Sequence, residues 1–242
     1  MKPHSTSKKR GFTLLETVIA IGVLAVLLTG FMVVFAPAAE GIRKSINVQQ
    51  ADRMASSLEQ ELVTLRVGEE TADIKTGFSK SFDWIKKSNT ATDALFAYQY
   101  RGKVSVLRTD GTREPEPSLS GKTPGQDYVV VPMVRRRSDP KFLEDLEAIE
   151  GSVYLVKCTQ LVFDITAKQL KAGTAGMIID PKGTAAAPVA TPDAYPEAVI
   201  AFTSEFYLMP AKSASYLTGT AFTTKFPTLK SPVFSRNLAV RR

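Results

Sequence analysis

An uninterrupted apolar segment near the N-terminus constrains this chain more than any other feature of its sequence. No residue from Thr17 to Ala39 is charged, and Pro37 lies close to the end of that stretch. The 25 residues from Phe12 to Ala36 would span about 37 Å as an α-helix, which exceeds the roughly 30 Å hydrocarbon core of a bilayer. The sequence therefore predicts one transmembrane helix.

Glu16 is an unusual residue for such a helix. A carboxylate inside a spanning helix costs on the order of a few kcal/mol, and a plain anchor has no need of it. A free amino group, made by cutting the chain before Phe12, would compensate this charge. A neighbouring helix that is staggered along its axis can supply that amine more easily than the same helix can. We therefore interpret Glu16 as an assembly contact between copies.

The segment that begins at Lys9 has two basic residues, then Gly11 and Phe12, an apolar pair and the acid Glu16. It resembles the processing and assembly segment of type IV prepilins and type II secretion pseudopilins. The resemblance implies that prepilin peptidase, a membrane aspartic peptidase, cleaves between Gly11 and Phe12 and that Phe12 is then N-methylated. It also implies that Glu16 pairs with the N-terminus of a neighbouring subunit during assembly. The residues that carry the resemblance are Lys9-Arg10-Gly11-Phe12-Thr13-Leu14-Leu15-Glu16-Thr17-Val18-Ile19-Ala20.

The same resemblance implies a fold, although it covers only the beginning of the chain. The expected class is α+β and type IV pilin-like, with a long N-terminal helix, half of it transmembrane, packed on an antiparallel β-sheet head. Two features depart from the family pattern. Val33 occupies a position where many pilins have a proline, and the single cysteine excludes the C-terminal disulfide loop of many major pilins.

An ordinary signal anchor is the simplest alternative for this segment. Its basic flank, made of Lys2, Lys8, Lys9 and Arg10, would hold the N-terminus in the cytoplasm. A cleaved secretory signal fits less well, because its apolar region is shorter and a small-residue cleavage site follows it. Neither alternative explains Glu16 or the Gly11-Phe12 junction.

The charge balance argues against a nucleic-acid partner. The chain has 31 basic and 24 acidic residues, and removal of the four basic residues in the leader leaves 27 against 24. Most of the excess is therefore a topology signal. The cluster Arg135-Arg136-Arg137 remains, and we expect it to form a solvated loop. DNA or an acidic glycan is the alternative partner, although no aromatic stripe accompanies the arginines.

The residue inventory argues against catalysis, so we expect no enzyme, no cofactor and no metal. The only histidine, His4, lies in the leader, which removes Ser-His-Asp and Cys-His chemistry from a processed chain. The only cysteine, Cys158, lies in an apolar run and is expected to be buried. Asp180 and Asp193 flank a loop where some pseudopilins bind calcium, but their spacing matches no defined calcium motif, so we interpret them as turn formers.

Four segments follow from these patterns: a cleaved leader (1–11), a transmembrane and assembly helix (12–36), an amphipathic extension of that helix (37–68) and an extracytoplasmic α+β head (69–242). The extension carries apolar residues at helical spacing, and Gly68 is expected to end it. With Pro37, Gly41 is expected to loosen the junction between the two helical segments.

Within the head, alternating and helical patterns predict several elements. We expect a helix over 79–87, a hairpin that turns at Arg101-Gly102, and a strand over 127–134. A helix should begin at Asp139-Pro140 and end at Gly151 with Phe142, Leu143, Leu146 and Ile149 buried. Two long strands are expected over 152–166 and 198–208, with an exposed loop over 182–196 between them. Trp84 and the strand aromatics are expected in the core.

These features favour a filament subunit, a minor type IV pilin, over two alternatives. One alternative is a type II secretion pseudopilin, which uses the same N-terminal chemistry. The other is a signal-anchored binding or adhesion protein that does not assemble. The expected partners are prepilin peptidase, other pilin or pseudopilin subunits, the inner-membrane assembly platform and membrane lipid. The expected location is the inner membrane, single-pass, with the N-terminus cytoplasmic and the head periplasmic, followed by a cell-surface or periplasmic filament.

Overall fold

The structure is a computed structural model that describes residues 13–164, 166–182 and 187–242. By its contacts the chain divides into two units, residues 1–46 and residues 47–242. One helix, α1 (Leu14–Val63), contributes residues to both units. Residues 14–36 of the predicted transmembrane span lie in the first part of α1, and residue 12 lies outside the described residues. The helix ends at Val63, five residues before Gly68, where we expected the end.

Helix α1 is continuous through the residues that were expected to loosen it. Pro37 lies inside the helix, and Gly41 follows it without a break in the helical hydrogen bonding. A β-carbon added at Gly41 would meet no atom within 4 Å, so this glycine is not required by a close approach within the chain.

The second unit is built on an antiparallel sheet of seven strands, whose main order is β2-β1-β4-β6-β7, with β3 beside β1 and β5 beside β4. Five short helical elements accompany this sheet among the described residues. The strands are β1 (Leu95–Leu107), β2 (Arg113–Pro115), β3 (Tyr128–Arg136), β4 (Ile149–Asp164), β5 (Gln169–Ala172), β6 (Val199–Leu208) and β7 (Phe234–Arg241). The helices are α2 (Gly77–Lys87), α3 (Pro140–Leu146), α4 (Ala214–Thr218) and α5 (Thr220–Lys225), with a 3-10 turn at Phe226–Thr228. The α+β class and the antiparallel sheet predicted from sequence are confirmed.

The first face of the sheet packs against the C-terminal part of α1 and against α2. The apolar stripe of α1 is buried there, with at most 3% of any of its side chains exposed: Ala51, Met54, Ala55, Leu58 and Leu62. Trp84 of α2 belongs to the same core, as does Cys158 of β4. Burying this stripe removes apolar surface from water, which is the main source of its stabilisation.

The second face of the sheet packs against α3, α4 and α5. Its core is rich in aromatic rings, and Phe96 of β1 stacks on Phe142 of α3 with ring centroids 4.8 Å apart. Phe142 is fully buried, as predicted, whereas Leu143 is 47% exposed, contrary to the prediction. The helical period places Leu143 on the outer side of α3 because its neighbour Phe142 faces the sheet.

The hairpin predicted at Arg101-Gly102 is wrong. Strand β1 continues through both residues to Leu107, and the chain turns at Gly111, which has a φ of 77°. Gly102 serves a close approach instead, since a β-carbon there would lie 2.6 Å from the β-carbon of Arg113.

The prediction that α3 reaches Gly151 is also wrong. The helix ends at Leu146, and both Ile149 and Gly151 belong to β4. The pairing of β1 with β4 shifts register near Gly151, whose φ is 72°, so this glycine permits a bulge in the strand.

In the loop predicted to be exposed over 182–196, Tyr195 is a core residue. Tyr195 is 2% exposed and lies against Phe78 and Phe82 of α2. Its hydroxyl donates to the carbonyl of Val199 at 3.2 Å, which satisfies the buried polar atom. The expectation of an entirely exposed loop is therefore corrected at this position.

Candidate functional site: the N-terminal helix

The N-terminus of α1 is closed by a capping box that includes Glu16. The hydroxyl of Thr13 accepts from the backbone N–H of Glu16 at 3.2 Å, and the Glu16 carboxylate accepts from the backbone N–H of Thr13 at 2.9 Å. The Thr13 hydroxyl also lies 3.1 Å from the same carboxylate oxygen. Two backbone donors that a helix start leaves unpaired are thereby satisfied.

This geometry gives Glu16 a partner within its own chain before any assembly. A carboxylate near a helix N-terminus is also stabilised by the helix dipole. The role of Thr13 was not anticipated from sequence, although the pattern Thr-x-x-Glu before an apolar run signals a capping box. Glu16 is therefore held at a defined place at the first turn of the helix.

The large apolar side chains near the N-terminal end of α1 are exposed in the described part of the chain. Every large apolar side chain between Leu14 and Phe35 is exposed, over a range from 54% to 85%. Phe31 and Phe35 stack on each other at 4.5 Å, one turn apart on the same helix side. One helix of the described chain, α1, is long and apolar enough to cross a membrane.

Polar groups inside this segment are satisfied locally. The hydroxyl of Thr29 donates to the carbonyl of Ala25 at 2.8 Å, and that of Thr17 donates to the carbonyl of Thr13 at 3.0 Å. The segment is α-helical from Leu14 onwards, so its backbone groups pair within the segment except at Val33, whose carbonyl faces Pro37 four residues on. The segment is therefore compatible with a lipid environment or with a bundle of helices.

The comparisons with known proteins agree with this geometry. Residues 6–32 match a family model described as the prokaryotic N-terminal methylation motif. The chain is a prepilin- or pseudopilin-like protein. No curated protein and no solved structure matches it significantly. The matched range of this prepilin-like protein includes the capped acid and most of the apolar segment, so a pilin- or pseudopilin-type subunit anchored in a membrane follows from it.

Two of the three predicted site residues, Gly11 and Phe12, lie outside the described residues, as does the leader. Only Glu16 can be located, at the first turn of α1. Cleavage, methylation and pairing with a neighbour therefore remain predictions for this prepilin-like protein.

The arginine cluster in the head does not form a solvated loop, contrary to our expectation. Arg135 is 3% exposed and lies in β3, where it contacts the carboxylates of Asp139 and Asp145 at 2.8 and 2.9 Å. Arg136 pairs with Asp83 of α2, and Arg137 donates to carbonyl oxygens at the end of α4. Acids distant in sequence neutralise most of this charge, which leaves little of it for an external polyanion.

A second set of buried charges surrounds Lys80 of α2. This lysine is fully buried, and its ammonium donates to Glu61 at 2.9 Å and to Glu69 at 2.7 Å. It also donates to the carbonyl of Thr64 at 2.7 Å, just past the end of α1, and lies 4.4 Å from the ring of Trp84. Buried ions require such pairing, so this cluster fastens α2 to the end of α1.

Asp110 and Asp145 connect the β1–β2 turn to α3. The Asp110 carboxylate accepts from Lys141 at 2.8 Å, and that of Asp145 accepts from the Tyr98 hydroxyl at 2.6 Å. Burial opposes ionisation of Asp110, but the hydrogen bonds from Lys141 and Thr112 outweigh it and hold the pKa of Asp110 well below its usual range. Burial and the nearby Asp145 raise the pKa of Tyr98 well above its ordinary value. Both carboxylates are paired with donors of the chain, so we interpret this network as a structural link.

The remaining candidate residues for a reactive or metal-binding site are Cys158 and the loop aspartates. Cys158 is fully buried, as predicted, and burial raises the pKa of its thiol to about 12, which keeps it unreactive. The side chain of Asp180 accepts from the backbone N–H of Lys182 at 2.9 Å, as a turn former does. In the described part of the chain, no three His, Cys, Asp or Glu residues are grouped as metal ligands.

Proposed function

We propose that this protein is a minor type IV pilin. In this proposal prepilin peptidase cleaves the chain between Gly11 and Phe12, Phe12 is methylated, and α1 carries the subunit into a helical filament. Before assembly the subunit waits in the inner membrane, single-pass, with its head in the periplasm. The inner-membrane assembly platform then moves the apolar segment from lipid into contact with the helices of other subunits.

The observation that carries this proposal is the apolar segment of α1. Its large side chains are uncovered, and one acid is held at its first turn by Thr13. Lipid or neighbouring helices must cover this surface, because water around so much apolar area is unfavourable. Neighbouring helices would, in addition, give the carboxylate of Glu16 a partner outside its own chain.

The capping geometry suggests how Glu16 acts. In the precursor it accepts a neutral backbone N–H of Thr13 at 2.9 Å. A charged amine from a neighbour is a stronger donor, since charge-assisted hydrogen bonds are roughly twice as strong as neutral ones. Pairing in a low-dielectric environment between helices strengthens this preference. The carboxylate therefore has reason to turn towards a newly made N-terminus.

Two features support a minor pilin as the kind of subunit. The head is larger than that of many major pilins, and its only cysteine is buried in β4 and cannot close a disulfide loop. A type II secretion pseudopilin remains the alternative, since it uses the same N-terminal chemistry. Glu16 argues against the tip position of that system, where the acid tends to be absent. No catalytic activity is proposed for the chain.

The first test replaces the acid and leaves the helix intact. Glu16→Ala should be cleaved and inserted in the membrane normally, while its recovery in sheared filaments falls at least tenfold. The matched control is Glu40→Ala, which removes an exposed acid from the same helix and should assemble like wild type. Normal incorporation of the Glu16→Ala protein would remove the proposed role of the acid.

The second test determines the N-terminus and the filament type. Mass spectrometry of the protein from its host's membranes should find a chain that begins at N-methylated Phe12. Deletion of the gene should reduce surface pili and leave type II secretion unchanged. Loss of secretion with normal pili would favour the pseudopilin, and an unprocessed chain in a host with active peptidase would favour a plain anchor.

A further inference from the structure

The second face of the sheet is covered by helices over only part of its area. The aromatic core under α3, α4 and α5 includes Val153 and Leu155 of β4 and Tyr207 of β6. Farther along β4 and β6, strand alternation directs Phe163 and Val199 to this same face. Phe163 is 51% exposed and Val199 is 37% exposed, so the helical layer does not reach them.

Strand β5 extends this uncovered apolar surface. Leu170 lies directly opposite Phe163 in the β4–β5 pair and is 57% exposed. An antiparallel sheet needs one covered face, and an apolar cluster left open on the other face is typical of an interaction site.

Basic residues lie at the rim of this surface. Lys168 lies in the turn before β5, two residues before Leu170, and is exposed. Arg241 of β7 is paired with Val199 of β6 and is exposed on the same side. We call Phe163, Leu170, Val199, Lys168 and Arg241 the open patch.

The chain also presents a surface of complementary chemistry on α3. Leu143 is 47% exposed on the outer side of that helix, next to Glu144 and one turn before Glu147. Glu144 accepts from Arg108, but 58% of its side chain remains exposed. Glu147 is exposed and has no ion pair with another described residue. We call Leu143, Glu144 and Glu147 the acidic ridge.

We propose that the acidic ridge of one copy docks on the open patch of a second copy of this chain. Leu143 then covers Phe163 and Leu170, and the two glutamates face Lys168 and Arg241. The neighbour's α3 then covers a part of the second face that the described helices of the first copy leave open. Because the two surfaces differ, the contact is heterologous and can be repeated from copy to copy.

This contact goes beyond the proposed function, because it joins two heads and does not use Glu16. Rim ion pairs are worth about 0–1 kcal/mol each, so the contact is expected to be weak between free molecules. Copies anchored in one membrane meet at a high effective concentration, which compensates for low affinity. The full-length protein in its host's membranes is therefore the correct material for a test.

The test uses two differently tagged copies that carry single exposed cysteines. One copy has Pro140→Cys, at the exposed first residue of α3 and one turn before Leu143. The other has Ala239→Cys, which lies on the exposed side of β7 near the open patch. Cys158 is retained because it is fully buried. The wild-type protein, whose only cysteine is Cys158, is the control that shows whether this residue reacts with the maleimide. A short bismaleimide should join the mixed pair at least fivefold more than it joins either like pair, also in a Glu16→Ala background.

Charge reversal then tests whether the opposite charges of the two surfaces cause the mixed product to form. Lys168→Glu with Arg241→Glu in the Ala239→Cys copy should abolish the mixed product, and Glu144→Lys with Glu147→Lys in the other copy should restore it. The matched control, Lys75→Glu with Lys230→Glu, reverses two exposed lysines outside the patch. Labelling by a monofunctional maleimide verifies that each cysteine is accessible. The proposal is wrong if all pairs react equally, if no mixed product forms, or if charge reversal has no effect.

Discussion

The two parts of helix α1 differ in where their packing partners come from. Between residues 14 and 36 the large apolar side chains are at least 54% exposed, whereas the apolar stripe between residues 51 and 62 is at most 3% exposed. Both parts are helical, but the first is apolar on every side and the second carries one apolar stripe. The difference shows that the local sequence determines the helix. Packing partners elsewhere in the chain determine whether its apolar side chains belong to the core or stay exposed for another molecule.

The charged residues of the two parts differ in the same way. Glu40 and Lys44 form an exposed i,i+4 pair at 3.0 Å, and both side chains are at least 67% exposed. Glu61 instead lies 6% exposed between Arg66 and the buried Lys80. Water screens the first pair and is excluded from the second, so similar ions have different energetic importance.

The largest expected effect comes from the buried cation. Lys80→Met leaves Glu61 and Glu69 near each other without their shared ammonium, and we expect the free energy of unfolding to fall by about 3–5 kcal/mol. Urea denaturation in detergent, followed by fluorescence of the only tryptophan, Trp84, measures it. The matched Lys44→Met should change stability by less than about 1 kcal/mol. Equal effects of both substitutions would contradict the comparison.

The second effect tests the apolar stripe. Leu58→Ala creates a cavity in the core of the head and should lower its free energy of unfolding by about 2–5 kcal/mol. Leu27→Ala removes the same atoms from a side chain that is 64% exposed and should leave unfolding of the head unchanged. The same denaturation assay reports both. A stable Leu58→Ala head would show that this stripe is not part of its core.

The third effect concerns acid stability of the head. Because the pKa of Asp110 is depressed, its ionised form stabilises the folded state above pH 4, and this contribution is lost as the pH falls below that value. Asp110→Asn should cost about 1.5–3 kcal/mol at neutral pH, since charge-assisted hydrogen bonds are removed. The free energy of unfolding of this variant should also change less between pH 4 and 2. In the wild type the unfolded chain binds up to about one more proton than the folded chain at this residue, and the variant lacks that difference. The exposed control Asp193→Asn should follow the wild-type profile.

The smallest effect compares the two capping boxes. Thr76 caps α2 through Ser79 in the head, and Thr76→Ala should lower the stability of the head by about 1 kcal/mol. Thr13→Ala removes the equivalent cap from α1 and should leave denaturation of the head unchanged. If Thr13→Ala destabilised the head equally, the N-terminal cap and the head would be coupled, against the comparison drawn above.

Sequence patterns located six of the twelve regular elements described in the head (α2, β1, β3, α3, β4 and β6) but misplaced several of their boundaries. The helix predicted over 79–87 begins at Gly77, and the strand predicted over 198–208 begins at Val199. Errors occurred at glycines whose role depends on a neighbouring strand. Gly102 was interpreted as a turn, although its role is to admit Arg113, and Gly151 was interpreted as a helix stop, although it forms a bulge.

The sequence alone determined the N-terminal segment, because its signals are local. A basic leader, a Gly-Phe junction, one acid and an apolar run of sufficient length lie next to one another, and the family match covers the same residues. Only the tertiary structure showed that Arg135 and Lys80 are internal and that Tyr195 belongs to the core. Some of their partners lie more than a hundred residues away, as Phe78 does from Tyr195. Burial of a charge or a ring depends on which distant groups the fold brings within contact.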